Sequence, residues 1–393
     1  MLSDNLIPHL TPVQWREDLQ FLARQVTEHH KNAFHRVSRE QFTHAVAALD
    51  ARLSSLRDYE IVVGLQSLAA MVGDGHTFLS TGGIQHVYPM EVSWFGRELR
   101  VVRTTPNYAQ ALGTRLVEIN GTGIDDVNSK IQPLIPQAEN EWYVLNQSAR
   151  QLMCADVLAA LGIVPGIGQA PFSFSDDTGQ SFTLNVASVA PGTMIDWRSV
   201  AQTLPLCLQR LGEPFWFTYL TALGTMYVNF RGYNSLAYHT PLLFAAIDSH
   251  TPKRLVIDMR QNGGGNYTLA RSYLIAEIQS RPHINTYGCL FVLTGRATFS
   301  AAMTNVTDFR RETDVIIVGE PPGARPQGYQ ENYWLTLPQS GLRASVACRR
   351  YRFTDEDVPA VLPDQQIQSN WADYKVGRDT VLEWVLAYAE TSQ

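Results

Sequence analysis

The sequence predicts an α/β protein: a helical N-terminal region over residues 1–82, a small β-rich module over 83–137, and a larger region over 138–393 built on a mainly parallel sheet. Three observations carry that expectation. Apolar residues recur at helical spacing in the first region, short alternating or β-branched runs fill the second, and buried-type strands alternate with helical segments in the third. The 393 residues are enough for two to three domains of about 150 residues each.

The first helix is predicted to start at Thr11-Pro12-Val13-Gln14, where Thr11 can cap, Pro12 suits the first turn and Gln14 can close a capping box. Trp15, Leu19, Leu22 and Val26 then form one apolar face. Ser38 with Gln41 marks a second start, ahead of Phe42, Ala45, Val46, Leu49 and Leu53, and a third helix is expected from Asp58 to about Val72. It stops at Gly73-Asp74-Gly75-His76. Both glycines allow positive φ, so this segment reads as a sharp loop able to aim one histidine.

Strand runs follow at Val87 to Phe95, Leu99 to Thr104 and Leu116 to Ile119, with a turn at Asn120-Gly121. A mainly helical stretch from Asn140 to Leu161 leads to a loop at Pro165 to Gly168, and Phe172 to Val186 reads as a hairpin about Asp176 to Gly179. Met226 to Phe230, Arg254 to Met259, Cys289 to Leu293 and Val315 to Val318 read as buried strands. Helical segments near 239–249, 267–279 and 300–311 separate them.

Composition excludes several classes of function. Hydrophobic residues make up 45% and charged residues 17%, which rules out a disordered chain. The net charge of −6, without a basic run, argues against nucleic acid as a partner. No apolar stretch is long enough to span a bilayer, and the start MLSDNLIPHL lacks a leader pattern, so the chain as given is expected to be cytoplasmic, or exported if it is a processed form. Cys154, Cys207, Cys289 and Cys348 include no CxxC pair; they suit buried thiols, although two disulfides in three pairings are also open.

Two segments could carry chemistry. Leu255 to Asn266 runs from a buried strand through Gly263-Gly264-Gly265 towards a helix, so backbone N–H groups stand beside a helix N-terminus, where a phosphate or an oxyanion could be held. Neither GxxxxGK[ST] nor GxGxxG is present, and a plain strand-to-helix turn is the simpler reading of the glycines alone. The second segment is Thr294 to Ala302, in which Ser300 stands at a helix start with small neighbours, either as an N-cap or as an accessible nucleophile. No lysine occurs between Ser300 and Lys375 to serve as its base. Among ten histidines His76 is the one on a Gly-flanked loop and is the preferred base, with a buried structural histidine as the alternative; His29, His30, His35 and His44 read as solvated.

Together these segments resemble the S41 family of serine peptidases, the tail-specific and tricorn-core-like proteases with a ClpP/crotonase-type fold. The resemblance spans nearly the whole chain. Leu255 to Gly265 is similar to the family's strand and glycine signature, Ala297-Thr298-Phe299-Ser300-Ala301-Ala302 to its nucleophile segment, and Val318 to Gly323 to its GE-x-x-G element. Leu337 to Leu342 and Pro363-Asp364 also look like family elements, and Gly73 to Thr77 resembles the D-x-H-T segment of the tricorn-like branch. That branch uses Ser, His and a carboxylate. Its spacing from Asp364 points to Asp357 as the acid, with Glu356 a close rival and Asp355 beside it in a run that could be merely solvated. Residues 87–136 resemble a degenerate PDZ-like module, chiefly through Leu112 to Gly121.

The resemblance implies a serine peptidase acting on peptides or unfolded proteins. Ser300 would attack the carbonyl, His76 would move the proton, Asp357 would orient His76, and N–H groups of Gly264, Gly265 and Ala301 would hold the oxyanion. Such a reaction needs no metal or organic cofactor. The rival expectations are an inactive relative that binds a peptide or apolar ligand, and an interaction protein built on the PDZ-like module.

Overall fold

The computed structural model describes residues 8–137 and 139–388. Part of the segment from which the absence of a leader was read, residues 1–7, lies outside them. The protein is mixed α/β and divides into two compact units. Residues to Glu139, Gln147–Val200 and Gly328–Tyr351 form the first; Asn140–Asn146, Ala201–Gln327 and the chain from Arg352 form the second.

In the first unit the helices Pro12–His29, Arg39–Asp50 and Asp58–Met71 begin where the sequence places their starts, and the third ends within a residue of the expected Val72. Local chemistry explains the agreement. Thr11 with Gln14 and Ser38 with Gln41 both close reciprocal capping boxes, which satisfy backbone N–H groups left over at a helix start. Trp15, Leu19, Leu22 and Val26 are buried as one stripe.

That stripe meets a partner with no local signal. Strands Gln327–Thr336 and Arg343–Arg352 pair with each other, the second pairs on its other side with Phe78–Leu79, and Leu335, Leu337, Leu342, Ala344 and Val346 join the core of the N-terminal helices. The sequence reading assigns no strands there. Asp18, fully buried, accepts from the backbone N–H groups of Gln339 and Ser340 at 2.8 and 2.9 Å, so the turn between the two strands is held by the first helix.

A separate sheet in the same unit runs in the order Met90–Phe95, Glu98–Thr104, Arg115–Ile119, Gln169–Ser175 and Ser181–Ala187, with Thr122–Gly123 and Arg198–Ser199 paired at its side. Its last two strands form the expected hairpin, in register from Gln169 opposite Ala187 to Ser175 opposite Ser181.

The second unit is organised by a six-stranded sheet. Its order is Gln365–Gln366, Ile316–Gly319, Leu290–Thr294, Arg254–Asp258, Thr225–Phe230 and Phe215–Leu220, parallel except at the last pairing. Successive strand residues face opposite sides. Met226, Val228 and Phe230 share one core with residues of helices Leu236–His250 and Ala301–Glu312 and of the helical segment 267–279. Tyr227, Val256, Phe291 and Val318 meet the helix Thr380–Ala387 on the other face. The four strands and the crossovers read from the sequence are all present; segment 267–279 contains a π turn at Arg271–Ile275. No helix among the described residues is long and apolar enough to cross a membrane, and the four cysteines are free thiols.

Candidate active site

Two parallel strands deliver the two loops of the second unit that matter. Arg254–Asp258 ends in the glycine loop, and Leu290–Thr294 ends in the loop before Ser300. Side chains of both loops bond them together. Thr298, fully buried, donates its hydroxyl to the Met259 carbonyl at 2.8 Å and accepts from the Gly295 N–H. Asn262, also fully buried, donates its side-chain amide to the Phe230 carbonyl, while its own carbonyl receives the Phe299 N–H at 3.0 Å. Both residues lie inside motifs quoted above without a role. The available signal was a small polar residue at a strand end, where backbone groups need partners.

Ser300 precedes the helix Ala301–Glu312 with φ 53° and ψ −124°, a conformation that costs an L-residue about 1–3 kcal/mol. Such strain persists only where the surroundings impose it. Here Gly264 supplies the constraint: at φ 107° its backbone comes so close that an added Cβ would stand 2.7 Å from Ser300 Cβ and 3.0 Å from the Phe299 carbonyl oxygen. Gly265 lies against the ring of Tyr233, 2.5 Å from where its own Cβ would be.

The backbone donors around Ser300 differ in their bonding. The Gly264 N–H donates to Asn262 Oδ1 at 3.0 Å. For the N–H groups of Gly265 and Ala301 there is no acceptor among the described residues. The Ala301 group begins a helix of 12 residues, whose dipole favours negative charge at that end.

The GE-x-x-G segment braces this loop from the neighbouring strand. Gly319, at φ 124°, leaves no room for a side chain, since a Cβ would fall 2.3 Å from the Thr294 carbonyl oxygen. Glu320 pairs with Arg296 at 2.6 Å. Arg260, just before the glycines, is buried between Asp258 and Asp379 at 2.6 and 2.7 Å, tying the glycine strand to the start of the C-terminal helix.

His76 lies in the first unit, is buried, and follows a turn in which Gly73 takes φ 106° while Gly75 does not take a positive φ. Asp74 accepts from the His76 backbone N–H at 3.1 Å and from His30 Nε2 at 2.9 Å. His30 Nδ1 accepts from Asn32 N–H, which places its ring proton on Nε2 and makes it a donor to Asp74. The expectation of a solvated His30 is therefore corrected: the ring is buried, because it closes the Asp74 carboxylate. Gly75 N–H donates to Glu139 at 2.8 Å, and Thr77 accepts from Ala347 N–H at 3.1 Å. Burial holds His76 at about 4, against the partial opposition of Asp74, so the imidazole is neutral at pH 7.

Asp357 belongs to the second unit, where its carboxylate is 65% exposed and pairs with Arg325 at 2.7 Å. Glu356 and Asp355 are exposed on the same turn. Asp364 accepts from Ile317 N–H at 2.8 Å and from Arg310 at 2.7 Å, so it anchors this turn's exit to the sheet. No group of His, Cys, Asp and Glu that could hold a metal occurs among the described residues.

No family model matches the sequence, and no curated protein does. Solved structures do. Mature CPAF complexed with lactacystin is similar over 93% of this chain and 95% of its own, with a TM-score of 0.62 at 13% identity. Mature CPAF alone is similar over 95% and 96%, with a TM-score of 0.61 at 12% identity. The photosystem II D1 C-terminal processing protease is also found, at 15% identity over 95% of this chain and 96% of its own, with a TM-score of 0.42. The chain has the fold of mature CPAF.

Proposed function

We propose that this protein is a serine peptidase that hydrolyses peptide bonds by acyl transfer, with peptides or unfolded proteins as substrates. The observation that carries the reading is Ser300: a strained residue at a helix N-terminus, pressed by Gly264, next to two backbone N–H groups without an acceptor among the described residues. In the reaction Ser300 Oγ bonds to the substrate carbonyl carbon as the C=O π bond opens. His76 takes the hydroxyl proton and returns it to the leaving amine. Water then hydrolyses the acyl-enzyme by the same proton transfers. A neutral His76 at working pH suits a base, and Asp357 is the carboxylate assigned to orient it.

The Gly265 and Ala301 N–H groups receive the oxyanion. Gly264, whose own N–H serves Asn262, shapes the site by letting the backbone approach. Within this reading the parallel sheet is a ClpP/crotonase-type core, and residues 87–136, which carry the strands Met90–Phe95, Glu98–Thr104 and Arg115–Ile119, are a degenerate PDZ-like module.

A fluorophosphonate probe tests the proposal, because only an activated serine reacts with it. Wild-type protein is expected to be labelled on Ser300 and to hydrolyse a peptide library, and Ser300→Ala and His76→Ala each to lose turnover by several powers of ten while remaining folded. Wild-type protein that folds yet takes no label and cleaves nothing would overturn the peptidase reading in favour of a non-catalytic relative.

A further inference from the structure

Gly265 and Ala301 lie on different loops, and an oxyanion site works only if its donors hold a set separation. One buried side-chain pair spans the two. Tyr233, 4% exposed, donates its hydroxyl to Asn305 Oδ1 at 2.6 Å. Its ring is the surface against which Gly265 rests, with the ring atom Cδ2 2.5 Å from the position of a Gly265 Cβ.

Asn305 stands one turn along the helix that Ala301 begins, and helix geometry links the two rigidly. Its amide is fully used. One carbonyl accepts from Tyr233, and the two N–H groups reach the Tyr267 carbonyl and Asp308 Oδ2, each at 3.0 Å. Tyr267 is two residues beyond Gly265. The glycine is thus held from below by the ring and from its C-terminal side by the same asparagine. Asp308 is locked in turn by both nitrogens of the Arg271 fork at 2.7 Å, so Asn305 has one orientation with every group satisfied. Burial pushes the Tyr233 hydroxyl far above its ordinary range, which keeps it a donor at any working pH.

We propose that Tyr233 and Asn305 are positioning residues that set the Gly265 N–H against the Ala301 N–H, and so tune the oxyanion site without touching substrate. The proposal rests on the peptidase reading above and adds the element that gives its donors their spacing.

The test uses Tyr233→Phe in the full chain, which keeps the ring on Gly265 and removes only the hydroxyl. Turnover is expected to fall about tenfold with KM within about twofold of wild type, since a displaced donor weakens transition-state binding and spares ground-state binding; loss of a whole donor costs about a hundredfold to a thousandfold. Affinity for a peptide aldehyde, whose serine adduct presents an oxyanion, should fall by the same factor as kcat/KM, while affinity for the matching peptide alcohol should not move. Asn305→Ser should shift the same quantities in the same direction and further. A lower melting temperature with unchanged kcat and aldehyde affinity would reduce the pair to a structural contact and overturn the proposal. Wild-type protein that takes no fluorophosphonate label would overturn the peptidase reading itself, and this inference with it, whereas a labelled wild type with an unaffected Tyr233→Phe would overturn the inference alone.

Discussion

A methyl group placed on Gly264 would stand 2.7 Å from Ser300 Cβ, closer than carbon atoms approach without displacement. The glycine and the serine come from loops after different strands, yet each requires the other's conformation. Gly264 is at φ 107° and Ser300 at φ 53°. Gly264→Ala is therefore expected to lower turnover about a thousandfold and to slow fluorophosphonate labelling, both by strain at positive φ and by displacing Ser300. Gly263→Ala is the control, since nothing lies within 4 Å of its Cβ position. Equal turnover in the two variants would mean that the Gly264 approach does not shape the reacting serine.

On the peptidase reading, the buried imidazole of His76, held at about 4, is expected to set the acid side of the pH profile. The base should remain neutral and kcat/KM flat from pH 7 to about 5, with a one-proton fall near 4 rather than near 6.5. Stability follows the same group. Between pH 6.5 and 4 the unfolded chain binds a proton at His76 that the folded chain does not, so stability rises with pH through that window and acidification removes about 3 kcal/mol. Urea denaturation of wild type and His76→Gln at pH 7 and 4.5 checks this: the wild type should lose more. An acid limb centred at 6.5 would show a solvated histidine.

The acidic turn offers three candidates to serve His76. Asp357→Asn is expected to cut turnover by orders of magnitude, though less than Ser300→Ala, because a carboxylate behind the base fixes its tautomer and favours its charged form. Glu356→Gln and Asp355→Asn, on exposed side chains, should be nearly silent. A large loss in Glu356→Gln beside a normal Asp357→Asn would move the role by one residue.

Asp18 carries the link between the first helix and the strand connection at Gln339 and Ser340. Asp18→Ala leaves two half-buried backbone N–H groups without their side-chain acceptor and is expected to destabilise by about 2 kcal/mol. The denaturant midpoint should fall with an unchanged slope, since the folded and unfolded surfaces stay the same. A change below about 0.5 kcal/mol would place those N–H groups in water.

The helix starts were legible because their chemistry is local: Thr11 with Gln14 and Ser38 with Gln41 satisfy one another three residues apart. The parallel strands were legible for a related reason, since a strand buried on both faces writes a continuous apolar run such as Leu255-Val256-Ile257. Order along the chain and motif resemblance supplied Ser300, His76 and the glycines as candidates. Tertiary structure alone decided what fixes them. The burial of His30 on Asp74, the seat of Gly265 on Tyr233, and the return of strands Gln327–Thr336 and Arg343–Arg352 to Phe78–Leu79 and the N-terminal helices join residues far apart in sequence. Nothing in a window of a dozen residues encodes such partners. They are chosen when the folded chain must pair each buried polar group and close each apolar face, a condition met by the whole unit at once.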